Sequence, residues 1–185
     1  MVGSFKCVYE TEGKGRSVDY LATKADAVIR YQDGDNAGHT VINEYGKFGL
    51  HIIPSGIFNR HAISIVGAGC VVNFERMEDE LKNIPNELHS NLYIDRRAHL
   101  IFPFNKDLDG AEENKRSQGD KVGTTKCGIG PTYADKASRI GLRAGDLLLS
   151  SNVLDDKIRN LLSKKNLELS NYGLNTYSFD EIKTL

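Results

Sequence analysis

Residues 4–32, SFKCVYETEGKGRSVDYLATKADAVIRYQ, give the clearest indication of the fold. It begins with a strand-like run at residues 4–9, continues with helical spacing at 13–25, and ends with a second apolar strand at 26–32. A strand, a helix and a strand in this order predict two parallel strands joined by a helical crossover. We therefore expect an α/β fold, with a mostly parallel central sheet flanked by helices.

The rest of the chain continues this alternation. Residues 40–53 alternate around Tyr45-Gly46 as a β-hairpin does, and residues 74–84 repeat apolar side chains at helical spacing. The remaining predictions are a strand at 62–73, a strand at 91–102, a polar helix or exposed connection at 107–121, and an amphipathic helix at 154–175. No repeat or linker justifies a division, so residues 1–185 form one unit with a β-hairpin and helical insertions.

Composition excludes several classes of protein. The chain has 185 residues, 39% of them hydrophobic and 26% charged, as soluble globular proteins do. A formal charge of −1 gives no field that attracts nucleic acid or an anionic membrane, and no apolar run is long enough to span a bilayer. The cysteines Cys7, Cys70 and Cys127 are odd in number and far apart, which predicts reduced thiols in the cytoplasm.

The segment Glu12-Gly13-Lys14-Gly15-Arg16 stands where the first strand meets the first helix. Glycines let a phosphate approach the backbone, free amides at a helix start point toward an anion, and a lysine adds positive charge. The segment is not the eight-residue Walker pattern, so a surface turn is the alternative.

Two further segments carry residues suited to the same chemistry. Asn36-Ala37-Gly38-His39-Thr40 follows the second strand, and ligands bind beyond the carboxyl ends of parallel strands. Residues 123–139 combine glycines with threonine hydroxyls and end at Arg139, which can grip a phosphate with two hydrogen bonds. We expect Lys14, His39 and Thr125 to converge on one anion pocket; a solvated histidine and a tight structural loop are the alternatives.

Five segments, in order and spacing, resemble the adenylosuccinate synthetase family. They are EGKGR (12–16), RYQDGDNAGHTV (30–41), LHIIPSGI (50–57), RAHLIFP (97–103) and VGTTKCGIGPTYADKASRIGLRAGDLL (122–148). The resemblance covers nearly the whole chain and implies the N-terminal portion of such a domain, with a P-loop-NTPase-like fold. In this family GTP phosphorylates the 6-oxygen of IMP, and the amine of L-aspartate then displaces the phosphate.

The resemblance implies a GTP-dependent C–N ligase of purine nucleotide biosynthesis, with Mg²⁺ as cofactor. His39 corresponds to the catalytic histidine, which stabilises the transferring phosphoryl group and donates a proton, while Thr11 stands at the general-base position. Arg139 resembles the arginine that reaches the IMP of the neighbouring subunit, which implies a homodimer. The expected GTP contacts are Glu12, Gly13, Lys14, Gly15, Arg16, Gly38, His39 and Thr40; the expected IMP contacts are Lys14, Asn36, Ala37, Gly38, His39, Thr125 and Arg139; the expected Mg²⁺ ligands are the Gly38 carbonyl and position 11.

The chain departs from the family pattern at the general-base position. Thr11 replaces the aspartate that serves as base and Mg²⁺ ligand, and loss of a general base typically costs about 10²–10⁴-fold in rate. Glu10 and Asp33 replace glycines, and Asp35 adds a carboxylate. Two alternatives follow: a catalytically inactive nucleotide-binding or dimerising homologue, and a variant that uses dGMP, as viral relatives with a small hydroxyl residue at this position do. The later residues that complete the family's site are absent, which indicates a fragment or half of a split enzyme.

Overall fold

A computed structural model describes residues 14–115 and 123–185. The helices are α1 (Lys14–Ala22), α2 (Phe74–Lys82), α3 (Pro103–Lys115), α4 (Ile129–Ala137), α5 (Ser151–Asn171) and α6 (Phe179–Lys183). The strands are β1 (Ala27–Asp33), β2 (His39–Asn43), β3 (Gly46–Leu50), β4 (Ile63–Val72), β5 (Leu92–Ile94) and β6 (His99–Leu100). Short 3₁₀ turns at 55–58, 86–91 and 144–148 join them.

The parallel sheet is built around β4. Strand β1 pairs with β4 from Ala27 opposite Ile63 to Asp33 opposite Cys70, and a β-bulge falls between Arg30 and Gln32. Strands β5 and β6 also pair with β4 in parallel, while β2 and β3 form a separate antiparallel hairpin. The predicted mixed α/β architecture is therefore confirmed for the described residues, and the predicted strand at 4–9 lies outside them.

Two hydrophobic cores hold these layers together. The first lies between the sheet, the hairpin and α2, and the second between β6, α3, α5 and α6. Helix α5 buries Ile158, Leu161, Leu162, Lys165 and Leu169, a three-to-four-residue spacing that places them on one face. The amphipathic helix predicted at 154–175 is thus present, and it begins three residues earlier than predicted.

One strand prediction is wrong. Residues 91–102 form two short strands, β5 and β6, because a turn at Asp95 interrupts them. The Asp95 carboxylate accepts hydrogen bonds from the Arg97 amide at 2.9 Å and from its guanidinium at 2.8 and 3.0 Å, and these bonds hold the pKa of Asp95 down at about 2. The Ala98 amide donates to the Asp95 carbonyl at 2.9 Å and closes the turn. Local side-chain bonds of this kind compete with strand pairing.

The other helix and hairpin predictions hold with small shifts. Helix α3 covers the first part of the polar segment predicted at 107–121, as the helical alternative required, and begins earlier, at Pro103. Within 14–115 and 123–185, no helix is both long enough and apolar enough to cross a bilayer.

Candidate functional site

A cleft of about 420 Å³ opens where α1 begins, between β1 and the first residue of β2. Lys14, Ala37 and His39 line it together with Arg30 and Ser55. Lys14 is the first residue of α1 and His39 is the first residue of β2, so two residues 25 positions apart in sequence lie in the same cleft. The structure thereby brings together the lysine of the glycine-containing segment and the predicted catalytic histidine.

The absence of a side chain at Gly15 makes this meeting possible. A Cβ at that position would lie 2.8 Å from the Cβ of His39 and 3.2 Å from the Ser55 hydroxyl oxygen. Contacts that short would force β2 away from α1. Glycine at this position therefore sets the spacing between the helix start and the histidine.

The electrostatic surroundings of His39 favour its neutral form. Burial lowers the pKa of its imidazole, and the positive charges of Arg30 and Lys14 lower it further. The carboxylate of Asp33 opposes this shift. A neutral imidazole has one N–H to donate and one nitrogen to accept, and a bound phosphate would offset the surrounding cations. The cleft is thus positively charged where the predicted phosphate contacts lie.

Arg30 holds the loop between β1 and β2 in place through hydrogen bonds to the backbone. Its guanidinium donates hydrogen bonds to the backbone carbonyls of His51 and Gly34, and it forms an ion pair at 3.7 Å with Asp33. The loop also packs closely against His51: a Cβ at Gly38 would lie only 2.9 Å from the Nε2 atom of that imidazole. The backbone carrying Asn36 to His39 is therefore supported on its protein side.

Glu80 of α2 holds the segment beneath this loop. Its buried carboxylate accepts hydrogen bonds from the amides of His51 at 2.8 Å, Ile52 at 3.1 Å and Ile53 at 3.1 Å. The His51 Nδ1 atom lies 3.5 Å from the same carboxylate. Burial raises the pKa of Glu80, and the three backbone hydrogen bonds oppose that rise.

A second cleft, of about 310 Å³, contains two of the predicted IMP residues, so Thr125 does not share a cleft with Lys14 and His39 as predicted. Asn36 and Thr125 line it. Carboxylates of α3 hold the loop that carries Thr125: the Gly123 amide donates to Glu113 at 2.7 Å, and the Gly128 amide donates to Asp109 at 2.9 Å. Gly128 has φ +77, and a Cβ there would lie 2.9 Å from the backbone of α3, so this turn requires glycine.

The hydroxyl of Tyr133 joins the regions of the two clefts. It donates a hydrogen bond to the Gly69 carbonyl of β4 at 2.8 Å and accepts one from the Asp33 amide of β1 at 2.9 Å. Helix α4 is thereby attached to the sheet where the β1–β2 loop begins. Because Asn36 and Ala37 are adjacent and each lines one cleft, that loop forms the border between them.

Several predicted residues lie elsewhere. Arg16 faces a separate depression beside Asp19 and Tyr20, and Thr40 is exposed on β2 opposite Gly49. Arg139 is exposed just after α4 with φ 61, and it lines neither cleft. The predicted residues Thr11, Glu12 and Gly13, with Glu10, fall outside the described ranges.

Sequence reasoning did not identify four residues that shape the site: Arg30, Ser55, Glu80 and Tyr133. Arg30, Ser55 and Tyr133 stand inside the family-like segments, which is a signal that could have found them. Glu80 gives no such signal, because it occupies one of several acidic positions of an amphipathic helix and only its burial distinguishes it.

The described residues fit a magnesium ion that takes most of its oxygen ligands from a nucleotide. Within 14–115 and 123–185, no three histidine, cysteine or carboxylate side chains are grouped to hold a metal. Mg²⁺ in nucleotide sites is commonly bound by one or two protein groups, substrate phosphates and water. Gly38 lies between Ala37 and His39, which both line the positively charged cleft, and a backbone carbonyl at this position would satisfy that smaller requirement.

Comparisons with known proteins agree on one family. The family model described as adenylosuccinate synthetase matches residues 7–184. Adenylosuccinate synthetase 1 of Methanosarcina acetivorans is 47% identical over 173 residues, which cover 92% of this chain and 40% of the relative. The relative from Carboxydothermus hydrogenoformans is 45% identical with the same coverage.

Solved structures give the same result. The fully ligated adenylosuccinate synthetase of Plasmodium falciparum superposes with a TM-score of 0.79 at 33% identity, covering 93% of this chain and 40% of that one. The succinoaminodeoxyadenylate synthetase of cyanophage S-2L, bound to dGMP and dATP, has a TM-score of 0.59 at 24% identity, which supports the fold alone; 74% of this chain and 38% of that one are covered. The chain spans about 40% of the length of the curated relatives it matches. The chain belongs to the adenylosuccinate synthetase family.

Proposed function

We propose that this chain forms the phosphate-binding and IMP-facing part of a GTP-dependent ligase that joins L-aspartate to IMP. The observation that carries this proposal is the shared cleft of Lys14 and His39, bordered by the loop that also presents Asn36 to the second cleft. Phosphoryl transfer depends on positioning and charge neutralisation more than on covalent chemistry by the protein. The cationic first cleft supplies both.

In this proposal each cleft holds a different part of the reaction. Lys14 and the amides at the start of α1 bind GTP phosphates, and His39 stabilises the phosphoryl group as it moves to the 6-oxygen of IMP. Asn36 and Thr125 position IMP from the second cleft. Mg²⁺, when bound at the Gly38 carbonyl and the nucleotide, would supply charge neutralisation between phosphate oxygens.

The test combines this chain with the remaining part of a relative's chain. The chain is co-expressed with the part of the Methanosarcina acetivorans relative that follows the matched residues, and conversion of IMP to adenylosuccinate is followed with GTP, aspartate and Mg²⁺. We expect slow turnover, and we expect Thr11→Asp combined with Glu10→Gly to raise it by about 10²-fold or more, the usual contribution of a general base. Absence of IMP and GTP binding to the complex by calorimetry would refute the proposal.

The sequence departures favour a second candidate, a homologue that binds nucleotide without turning it over. Thr11 provides no base near neutral pH, and Asp33 puts a carboxylate beside the cleft. Nucleotide binding by the complex, with turnover only after Thr11→Asp and Glu10→Gly, identifies this case. Turnover with dGMP in place of IMP would identify the dGMP-using variant.

Two further properties belong to the same proposal. Arg139 is exposed at the end of α4, where it can reach a second copy, so we propose a homodimer in which it contacts the other subunit's IMP. Cys70 and Cys127 are free thiols, as expected in the cytoplasm, where we place the enzyme. Sedimentation of the complex, with and without Arg139→Ala and IMP, tests the dimer.

A further inference from the structure

Asp33, the last residue of β1, places a carboxylate in the first cleft. Among the described residues that line this cleft, Asp33 is the only acidic one, while Lys14 and Arg30 carry positive charge. The Asp33 side chain is 49% exposed, so a bound group can reach it from the cleft. A negative charge therefore stands among the predicted phosphate contacts, where it would repel a phosphate that carries no metal ion.

The contacts of Asp33 hold its carboxylate in place and leave acceptor capacity on it. Its Oδ1 atom accepts a hydrogen bond from the Gly34 amide at 2.9 Å, and its Oδ2 atom lies 3.7 Å from the Arg30 guanidinium, beyond hydrogen-bond distance. The Asp33 amide donates to the Tyr133 hydroxyl at 2.9 Å, which anchors the backbone at the same residue. Because an ionised carboxylate offers about four acceptor sites, these contacts leave Asp33 able to bind a cation as well.

The Asp33 carboxylate also acts on His39 across the cleft. Burial and the positive charges of Arg30 and Lys14 lower the pKa of the His39 imidazole, and the charge of Asp33 opposes that shift. Asp33 thus interacts with the side chain to which the proposed function assigns the transferring phosphoryl group. A metal ion bound to this carboxylate would lie in the part of the cleft where those phosphates are expected.

Two departures from the family pattern account for each other at this carboxylate. The chain has Thr11 in place of the aspartate that binds Mg²⁺, and it has Asp33 in place of a glycine. Mg²⁺ in nucleotide sites is commonly held by one or two carboxylates together with substrate phosphates. We propose that Asp33 supplies the carboxylate ligand of Mg²⁺ that Thr11 cannot supply. The inference rests on the proposed function, because the metal ion would enter the cleft with the phosphates of GTP.

The test measures GTP binding by calorimetry, once with Mg²⁺ and once with EDTA, in the complex of this chain with the remaining part of the Methanosarcina acetivorans relative. Asp33→Asn removes the charge, keeps an oxygen that can accept from the Gly34 amide, and suits a positive φ. With Mg²⁺, we expect Asp33→Asn to weaken GTP binding by about tenfold or more, as other changes at metal sites do. With EDTA, the variant should bind GTP at least as tightly as the unsubstituted complex, because the carboxylate without a metal ion repels the phosphates.

Two further variants separate a metal ligand from a residue that only supports the loop. Asp33→Gly restores the residue of the family pattern and suits the backbone at φ 91, and it should show the same loss confined to Mg²⁺. Asp26→Asn is the matched control: Asp26 is exposed and directly precedes β1, at the end of the strand opposite to Asp33. It removes the same charge and should leave GTP affinity within about twofold in both buffers. Equal loss of affinity with Mg²⁺ and with EDTA in the Asp33 variants would mean that Asp33 has a structural role, and the proposal would be wrong.

Glu10, the other carboxylate that replaces a glycine, is tested in the same way. If Glu10→Gln removes the effect of Mg²⁺ on GTP binding and Asp33→Asn does not, the carboxylate ligand belongs to position 10 and the proposal is overturned. GTP binding by the unsubstituted complex that is equally tight with Mg²⁺ and with EDTA also overturns it. A complex that binds no GTP refutes the proposed function together with this inference, whereas GTP binding whose dependence on Mg²⁺ is unchanged in the Asp33 variants refutes this inference alone.

Discussion

Replacing Glu80 with alanine tests how the β1–β2 loop is supported. Glu80 is 7% exposed, and its carboxylate accepts hydrogen bonds from three backbone amides, those of His51, Ile52 and Ile53. Leaving a buried donor unsatisfied costs about 1–3 kcal/mol, and a small cavity adds to that cost. Removal of a buried carboxylate relieves its desolvation, which offsets part of the loss. We expect a decrease of about 3 kcal/mol in the free energy of unfolding, the lower limit of the range for three unsatisfied donors.

The measurement is urea unfolding followed by circular dichroism, with thermal melting as a second readout. For a chain of this size about 1 kcal/mol shifts the melting temperature by about 2–4 °C, so Glu80→Ala should lower it by roughly 6–12 °C. Glu80→Gln keeps one acceptor oxygen and should cost about half as much.

The matched control is Glu78→Ala on the same helix. The Glu78 side chain is 71% exposed and lies 3.8 Å from Lys82, and such surface pairs contribute about 0–1 kcal/mol. If Glu80→Ala is no more destabilising than Glu78→Ala, the carboxylate does not hold the 51–53 segment, and the reasoning from buried hydrogen bonds is refuted.

Three other substitutions probe the site and the second core. Asp33 has φ 91, a backbone conformation that glycine adopts without strain, so Asp33→Gly should leave stability within about 0.5 kcal/mol of the parent. Asp33→Ala keeps the backbone strain and loses the hydrogen bond from the Gly34 amide, so it should cost about 1–2 kcal/mol. Urea unfolding measures both variants. Lys165→Met removes the cation that pairs with the buried Asp135 carboxylate and should cost about 3–5 kcal/mol, and Asp135→Leu in the same chain should restore much of that loss. The folded-state pKa of His39 lies below its unfolded value of 6.5, so the unfolded chain binds more protons at pH values between the two. Stability should therefore fall as the pH drops below about 6.5, and the slope should be smaller in His39→Gln. Urea titrations at stepped pH measure both.

Specific results would contradict each of these expectations. Equal stability of Asp33→Ala and Asp33→Gly would remove the argument from backbone strain. A Lys165→Met variant that unfolds like the parent would mean that water reaches the pair. For the pH series, burial also lowers the pKa of His51 and His99, so part of the slope should persist in His39→Gln; an unchanged slope would mean that His39 does not contribute.

Periodicity and order of elements were sufficient to predict the architecture. The β4 segment is a ten-residue apolar run with β-branched residues, and α2 repeats Phe74, Met77 and Leu81, so local pattern and tertiary packing agree there. The break between β5 and β6 could not be predicted from periodicity, because it depends on bonds between Asp95 and Arg97 within an otherwise strand-like sequence. The family motifs located the candidate site in sequence.

The geometry of the site could not be predicted from the sequence. Lys14 and His39 meet because Gly15 lacks a side chain, whereas Thr125 lies in the neighbouring cleft with Asn36. Nothing in the spacing of three loops specifies whether they share one cavity or border two. The support supplied by Glu80 was equally hidden, since its role depends on burial and on three amides about 28 residues away in sequence.

The Tyr133 hydroxyl links helix α4 to strands β1 and β4 by two hydrogen bonds. Sliding α4 away from the sheet breaks its bonds to Gly69 and Asp33 together, at a cost of about 1–3 kcal/mol. Asp33 immediately precedes the loop that separates the two clefts, and α4 begins beside the loop that carries Thr125. While these bonds and the bond from Lys136 Nζ to the Ala68 carbonyl of β4 are intact, α4 keeps its position on the sheet, and groups bound in the two clefts are held at a fixed separation.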